Sequence, residues 1–211
     1  TYMLNKSRRF YHQALIRDLF PYDANNKVKN HRLTACMRII APHKHNVEMH
    51  RNEAGHVRGK NFIRCSSPYC PVCGGIIAYE RSRDLRLAVA NWQNQGKHVL
   101  MVTLTISHDI TQTLAEVCDK FTKAWRFMTN HRRWKNIKAK HNIAGFTRTP
   151  EETDGKNGWH VHAHVLIFTE ELPEDDFTEE ITDLWLYCVD KAGGYASAEH
   201  GVDVQYSNEK V

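Results

Sequence analysis

The sequence predicts an α+β fold in which helices pack against one face of a sheet. From residue 98 onward, segments typical of strands alternate with amphipathic helical segments in the order strand, helix, strand, strand, helix, strand. The chain of 211 residues is 41% hydrophobic, which is enough for one large domain or two small ones. It contains no internal repeat and no low-complexity linker.

The first elements in chain order are a ribbon, a helix and a strand. Before residue 75, short alternating segments predict a small β-ribbon whose turn is NEAG, residues 52–55. Residues 76–92 carry apolar side chains at helical spacing, and this helix should end at NQG, residues 94–96. The segment 98–109 is rich in β-branched residues and predicts a buried strand in the middle of the sheet.

Two amphipathic helices and three strands complete the chain. One apolar stripe covers residues 114–128, with Asp109 or Thr111 as its N-cap. The other covers residues 177–188, follows Pro173 and has acidic residues in its first turn, where the helix dipole favours them. The remaining predicted strands are 143–152, 159–168 and 201–206.

The cysteines fall into two groups. Cys118 and Cys188 lie on the apolar stripes of predicted helices, where a free thiol behaves as a small apolar side chain. The segment CSSPYCPVC spaces three others so that their thiolates can face one tetrahedral zinc ion, with a redox pair or a disulfide as the alternative. Cys36 is the natural fourth ligand, although a nearby histidine would also serve. The cysteines of the segment are Cys65, Cys70 and Cys73, and the alternative histidines are His43, His45, His50 and His56.

Three histidines alternate along the predicted strand 159–168. Because successive side chains of a strand point to opposite faces, Trp159 and every second residue after it form an apolar face. The other face carries His160, His162 and His164, whose neighbours lie about 7 Å apart, close enough for two to bind one cation. The alternative is three independent histidines on a solvent-exposed face.

Two neutral imidazoles leave a divalent ion short of ligands and of negative charge, so a carboxylate should complete the site. Glu151 and Glu152 are the nearest acids on the preceding strand. Two histidines and one carboxylate with open positions suit Mg²⁺ or Mn²⁺ acting as a Lewis acid on a phosphate.

Positive charge is concentrated in residues 130–141, although the net charge of the chain is only +5. This segment holds no acid and includes Trp134, a combination that suits a nucleic-acid backbone. A solvated helix surface is an equally good interpretation. The candidate phosphate contacts are Arg132, Arg133, Lys135 and Lys138, together with Arg81 on the predicted helix 76–92.

No apolar run approaches the roughly 20 residues that a transmembrane helix needs, and the first residues lack the apolar segment of a signal peptide. We therefore expect a soluble, cytoplasmic protein without a membrane partner. The first residue is not Met and the sequence stops at Val211, which indicates a piece of a longer protein.

Several motifs together resemble a known superfamily. HAHVLIF resembles the His-hydrophobe-His motif of the HUH endonucleases, and VTLTISHD resembles the strand of their first motif. The order CSSPYCPVC, basic helix, VTLTISHD, RTPEET and GWHVHAHVL is similar to that of rolling-circle replication initiator (Rep) proteins of prokaryotic plasmids. This resemblance extends from about Cys36 to about Tyr206. The cysteine motif favours a plasmid initiator over an HUH transposase or a conjugative relaxase.

The resemblance implies an HUH-type central antiparallel sheet with helices packed on it. The expected organisation is an N-terminal zinc-binding region at 1–75 and an endonuclease domain at 76–211. The implied activity is metal-dependent, site-specific nicking of single-stranded DNA at a replication origin, with Mn²⁺ or Mg²⁺ as the catalytic ion and zinc as the structural one. A host helicase and a host polymerase are the implied partners.

The resemblance also assigns roles to single residues. His162 and His164 match the ligand pair, and His160 matches an additional histidine of the family. The family pattern Arg-x-x-Glu-x-Thr fits the segment that starts at Arg148 and favours Glu151 over Glu152 as the acidic ligand. Pro150 replaces an apolar residue that is usual there.

In the implied mechanism a tyrosine attacks the scissile phosphodiester and forms a 5′-phosphotyrosine, leaving a free 3′-OH. The family places this tyrosine in a Y-x-x-K helix after the HGVDVQY strand, a segment that this sequence lacks. The nucleophile is therefore expected beyond Val211 and the chain is expected to be inactive alone. Within the chain, Tyr206 is the first candidate for the nucleophile and Tyr195 is the second. A non-catalytic zinc-dependent DNA-binding protein and a phosphodiesterase with a water nucleophile are the competing classes.

Overall fold

The computed structural model describes residues 2–19 and 32–206, and it divides into two compact units, Thr1–Arg86 and Leu87–Val211. The division falls within a helix, whereas the sequence places a boundary after residue 75. The first unit contains α1 (Tyr2–Leu19), α2 (Arg32–Ala35), β1 (Glu48–Arg51) and β2 (Val57–Lys60), and α3 (Gly74–Asn94) extends into the second. The second unit contains β3 (His98–Thr105), α4 (Leu114–Asn130), α5 (Arg132–Lys140), β4 (Ile143–Gly155), β5 (Gly158–Thr169), α6 (Phe177–Lys191) and β6 (Val202–Tyr206).

Strands β1 and β2 pair in an antiparallel ribbon, as the alternating sequence before residue 75 predicts. Asn52 closes the turn, because its side-chain oxygen accepts the backbone N–H of His56 at 2.8 Å, and Gly55 adopts a φ of 79° there. Helices α1 and α2 are additional to the predicted ribbon. The sequence of α1 mixes apolar residues with many polar and charged ones, so no apolar stripe marks it.

The second unit is built on a four-stranded antiparallel sheet with the strand order β4-β5-β3-β6. The α+β prediction is confirmed, and β3 lies in the interior of the sheet as expected. Strand β3 ends at Thr105, earlier than the predicted residue 109, because the chain leaves the sheet and the backbone N–H of Ser107 donates to the carbonyl of Tyr195 at 2.8 Å. The β4–β5 hairpin is longer than predicted and turns at residues 156 and 157, after which β5 begins at Gly158 with a φ of 92°.

Helices α4, α5 and α6 cover one face of this sheet and enclose the core. Every second residue of β5 from Val161 to Ile167 is buried beneath them, whereas Trp159 is only half-buried. The indole N–H of Trp185 in α6 donates to the carbonyl of Thr105 at 2.9 Å and joins helix and sheet. The last turn of α3 contacts the opposite face, because the ring of Trp92 packs edge-on against Phe168 at 5.9 Å. The prediction of helices on one face therefore holds for α4 to α6 only.

The N-cap predicted for α4 is wrong. Thr113 caps the helix in a capping box, in which Glu116 N–H donates to the Thr113 hydroxyl and the Glu116 carboxylate accepts Thr113 N–H. Asp109 caps the preceding turn instead, since its carboxylate accepts Thr111 N–H at 2.8 Å. Both carboxyl groups have a lowered pKa because these hydrogen bonds favour the ionised form.

None of the helices in the two described ranges is long and apolar enough to cross a bilayer.

Candidate metal centres and active site

The register of the sheet brings two histidines and one acid to the same face. His162 lies opposite Glu151 on β4 and opposite Thr105 on β3, while His164 lies opposite Thr103. Residues paired across neighbouring strands project to the same side of a sheet, so these side chains share one face. We call the side of the sheet that carries His160, His162 and His164 the histidine face.

Glu151 lies close to both His162 and His164, and the three side chains form one group of possible metal ligands. One carboxylate oxygen of Glu151 lies 3.6 Å from Nε2 of His162 and 3.7 Å from Nε2 of His164. Neighbouring ligands of an octahedral ion with bonds of about 2.1 Å lie about 3 Å apart, so a small side-chain rotation accommodates a divalent ion. The side chain of Glu151 is 53% exposed and that of His162 only 13%. The set is therefore anchored on the sheet and open to solvent, as a site that must admit a substrate requires.

Because side chains alternate along β4, the two candidate acid ligands Glu151 and Glu152 project to opposite faces of the sheet. Glu152 pairs with Val161, whose side chain is buried under the helices, so Glu152 projects away from the histidine face. Arg148 also projects away from it. Its guanidinium lies 4.7 Å from the centre of the Trp125 ring, and burial lowers its pKa. Of the residues that fit the family pattern, Glu151 and Thr153 reach the histidine face and Arg148 supports the helix face instead.

Thr103 orients the second histidine. Its hydroxyl lies 3.1 Å from Nδ1 of His164, so a proton on Nδ1 can be donated to it and Nε2 is left free to bind a metal ion. Nδ1 of His162 is buried and has no hydrogen-bond partner among the described residues. An unpaired buried polar group costs on the order of 1–3 kcal/mol, which is easier to reconcile with a functional site than with a structural histidine. The alternation of VTLT places Thr103 on this face and is the sequence signal for it.

His160 extends the row but stands outside the three-residue set. Its ring centre lies 4.9 Å from that of His162 and 5.0 Å from that of His108, a neighbour that the sequence does not identify. Burial lowers the pKa of His160, and the neighbouring His162 and His108 lower it further, so the neutral ring is favoured.

Tyr206 does not reach the histidine face. It pairs with Leu100, which in turn pairs with Ile167, and both partners are buried under the helices. This pairing places Tyr206 on the helix side of the sheet, away from the histidine face. On β6 the residues that share the histidine face are Asp203, opposite Thr103, and Gln205, opposite Met101. Tyr195 lies outside the sheet and is 68% exposed.

The structure also gathers the four predicted zinc ligands. The sulfur atoms of Cys36, Cys65, Cys70 and Cys73, here called the cysteine cluster, lie within 4.8 Å of one another, and that of Cys36 is 3.4 Å from Cys73 and 3.7 Å from Cys70. Tetrahedral zinc with bonds of about 2.3 Å separates its sulfur ligands by nearly 4 Å, so the set fits such an ion. The alternative histidine ligands do not join it, and no disulfide forms among the described cysteines.

Burial and hydrogen bonds shift the pKa values of the cysteine cluster in different directions. Burial raises the pKa of the Cys36 and Cys65 thiols. For Cys70 burial acts in the same direction, but hydrogen bonds from the backbone N–H groups of Cys73 and Val72 outweigh it and lower the pKa. Side chains fix the backbone, since the amide of Gln13 donates to the Cys36 carbonyl and the guanidinium of Arg32 to that of Cys65.

The predicted basic segment forms helix α5, and its aromatic residue is structural. Trp134 is buried and packs edge-on against Phe146 at 5.7 Å, so it is not available to stack on a base. Arg133 lies 4.0 Å from a carboxylate oxygen of Asp183. Arg132 and Lys135 are exposed and Lys138 is half-buried, while Arg81 is exposed on α3.

A third group of possible ligands is a structural ion-pair network. His141, which is fully buried, bonds to Glu180 at 2.9 Å and accepts the backbone N–H of Glu174 at 3.3 Å. The ammonium of Lys140 bonds to Asp176 and Glu180 in the same network, raising its own pKa and lowering that of Asp176. A lysine already supplies the positive charge, so this group joins α5 to α6 without a metal ion.

The chain that carries the cysteine cluster and the histidine face matches a known protein family. The family model of replication proteins matches residues 56–183, more than half of the sequence. The chain belongs to the replication protein family, which confirms the resemblance to Rep proteins.

Two curated relatives are similar to this chain. It is 29% identical over 134 residues to "Protein rep" of Streptomyces lividans, covering 50% of this chain and 29% of that protein. It is 25% identical over 143 residues to "Neomycin resistance protein" of Streptomyces cyanogenus, covering 56% of this chain and 33% of that protein. The alignments therefore span about a third of the length of either relative. No solved structure matches the chain.

Proposed function

We propose that this chain carries the metal site of a plasmid rolling-circle replication initiator that nicks single-stranded origin DNA. The observation that carries the proposal is the convergence of Glu151, His162 and His164 on one open face of an antiparallel sheet in a replication protein. Two histidines and one carboxylate with open positions are typical of sites that act on phosphates and unlike closed structural sites.

The residues of the histidine face have separate tasks in this proposal. His162 and His164 would hold a Mn²⁺ or Mg²⁺ ion through Nε2, and Glu151 would supply the anionic ligand. Such an ion would supply Lewis-acid stabilisation of negative charge on the scissile phosphate. Thr103 fixes the ring of His164, and His160, neutral and next to His162, borders the site.

The reaction is a transesterification in the proposed mechanism. The oxygen of a tyrosine forms a bond to phosphorus as the 3′ oxygen of the preceding nucleotide leaves, giving a 5′-phosphotyrosine and a 3′-OH that primes synthesis. Because Tyr206 projects from the other side of the sheet, the attacking tyrosine comes from another part of the protein.

The cysteine cluster has a structural role in this proposal. Zinc bound to four thiolates holds the first unit together, and four thiolates leave no open position for a substrate. The proposed phosphate contacts are the exposed Arg132 and Lys135 and the half-buried Lys138 of α5, together with the exposed Arg81 of α3. A host helicase and polymerase would extend the 3′-OH.

The test uses the complete replication protein that contains this chain, with Mn²⁺ and labelled single-stranded origin DNA. We expect label to become covalently attached to the protein, and attachment to be lost in the double variant His162→Ala, His164→Ala. Glu152→Gln is the matched control and should retain attachment. Repeated cleavage without attachment would instead indicate a phosphodiesterase with a water nucleophile.

A second measurement does not depend on activity. In the 211-residue chain we expect one zinc that survives dialysis and one divalent ion that does not, the latter absent from the double histidine variant. A single tightly held zinc, with no second ion, would favour a non-catalytic zinc-dependent DNA-binding protein.

A further inference from the structure

The segment between Cys36 and Cys65 has a net positive charge nearly equal to that of the whole chain. Residues 37–64, here called the basic ribbon, contain six Lys and Arg residues and two Glu residues, a formal charge of +4 out of +5 for the whole chain with histidines neutral. All six cationic side chains are exposed. They are Arg38, Lys44, Arg51, Arg58, Lys60 and Arg64.

These cations form no salt bridge among the described side chains, although Glu48 lies opposite Lys60 in the ribbon and the charge of Lys60 is among the causes that lower the pKa of Glu48. Within residues 2–19 and 32–206, no carboxylate lies at salt-bridge distance from any of the six. Glu48 instead bonds to His50 at 3.1 Å and to Asn61 at 3.2 Å. In the second unit, by contrast, Lys97 and Lys140 both bond to carboxylates. Clustered unpaired cations repel one another, so the basic ribbon gains from an anionic partner.

The basic ribbon presents its charge on an exposed, two-stranded frame. No residue of β1 or β2 is buried. Arg58 and Lys60 lie on one face, and the ring of Phe62 packs on the other, where a side chain at Gly59 would meet it at 2.7 Å. The face with Arg58 and Lys60 is therefore open to a partner.

The frame is anchored to the cysteine cluster. Between these strands and the cysteines, two further backbone hydrogen bonds continue the antiparallel pairing. Met37 N–H donates to the Ile63 carbonyl and Ile63 N–H donates to the Ile39 carbonyl, each at 2.8 Å. The pairing thus runs from Cys36 and Cys65 outward to the turn. A preorganised ribbon loses little conformational entropy when it binds.

The shape and composition of the basic ribbon favour double-stranded DNA. Unpaired Lys and Arg side chains suit phosphates, and a two-stranded antiparallel ribbon fits a major groove about 12 Å wide. Sites for single strands usually add aromatic side chains on which bases stack, and residues 43–60 contain no Phe, Tyr or Trp. We propose that the basic ribbon binds duplex DNA, with Arg58 and Lys60 of its open face contacting phosphates. This inference goes beyond the proposed nicking of a single strand and does not depend on it.

The experiment measures binding of the zinc-loaded 211-residue chain to a labelled duplex and to a labelled single strand of the same length, over a series of salt concentrations. The test variant combines Arg58→Gln and Lys60→Gln. The control combines Arg126→Gln and Lys191→Gln, which remove the same formal charge from exposed positions of α4 and α6. Zinc content and circular dichroism establish that both variants are folded.

We expect the ribbon variant to bind duplex about tenfold or more weakly, with a logarithmic salt dependence shallower by about 2, and to bind single strands nearly as the parent does. The control should change either affinity little. Equal duplex affinity of the two variants overturns the proposal, as does an equal loss for duplex and single strand in the ribbon variant. A third variant, Arg132→Gln, Lys135→Gln, Lys138→Gln, tests helix α5. A duplex loss confined to that variant would assign the duplex to α5 and also overturn the proposal.

Discussion

The cysteine cluster and the histidine face are both candidate metal sites, but the structure around them differs. In the first unit the buried cluster consists of the four cysteines, with partly buried residues such as Leu33 and Ile77 packed against them. In the second unit the sheet and helices α4 to α6 enclose an extended apolar core, and the histidines lie on the side of the sheet away from it.

In the proposed function, an ion at the cysteine cluster would stabilise the first unit, whereas an ion at the histidine face would bind to a unit that is already folded. Structural zinc supplies about 10–16 kcal/mol of apparent binding free energy, which in a small unit is folding free energy. The second unit buries enough apolar surface to fold without an ion, so its ligands are preorganised. We therefore expect zinc removal to unfold the first unit and ion removal from the histidine face to leave the second unit intact.

The largest expected effect is that of removing zinc. Chelation, or Cys70→Ser, should expose the backbone amides of residues 36–73 to hydrogen exchange while those of β3 and β5 remain protected. Cys118→Ala is the control, since Cys118 lies on α4 outside the cluster and should not alter zinc content. Unchanged exchange in residues 36–73 after complete zinc loss would show that the first unit folds without the ion.

The next effect concerns the acid of the histidine face. Glu151→Gln removes the anionic ligand and should weaken Mn²⁺ binding at least about 100-fold, measured by calorimetry, with little change in thermal stability because the side chain is half exposed. Glu152→Gln should bind Mn²⁺ as the parent does, because Glu152 projects to the other side of the sheet. Equal losses in the two variants would contradict the register of β4 and β5.

Much of this arrangement could be predicted from the sequence, because the period of two along a strand fixes which side chains share a face. The histidine face follows from alternation within β5 alone. The face of Tyr206 does not, since it depends on the register between β6 and β3, which no local pattern encodes. Trp134 was ambiguous for a similar reason, because a charged helix does not reveal which of its sides meets a core.

The N-cap of α4 could not be predicted from residue types alone either. Asp109, Thr111 and Thr113 are all residue types that cap helices, and the choice among them depends on which one faces Glu116. Helix α1 was not predicted, because charged residues interrupt its apolar positions.

The core of the second unit should also respond to pH through a buried thiol. Burial raises the pKa of Cys188 to about 11 from an ordinary value of 9.0, with the charge of Arg133 opposing it. The stability that this neutral thiol preserves is complete below pH 9 and is lost as the pH rises toward 11, because only the unfolded thiol ionises in that window. Two pH units correspond to about 2–3 kcal/mol at most.

Urea unfolding at neutral and alkaline pH measures this loss. The decrease in unfolding free energy should be smaller in Cys188→Ala than in the parent, while Val189→Ala, a buried neighbour without a thiol, should keep the parental decrease. The same decrease in all three proteins would show that Cys188 does not contribute to it.

The smallest expected effect concerns the orientation of the His164 ring. Thr103→Val keeps the shape of the side chain but removes the hydroxyl that lies 3.1 Å from Nδ1 of His164. Losing an outer-shell partner of a metal ligand costs about tenfold in affinity, so Mn²⁺ binding should weaken by that factor while the fold and zinc content stay unchanged. Thr105→Val is the matched control, because Thr105 lies opposite His162 on the same strand and its hydroxyl makes no hydrogen bond to that ring. If both variants bound Mn²⁺ as tightly as the parent, the sheet alone would orient His164 and the hydroxyl would have no part in the site.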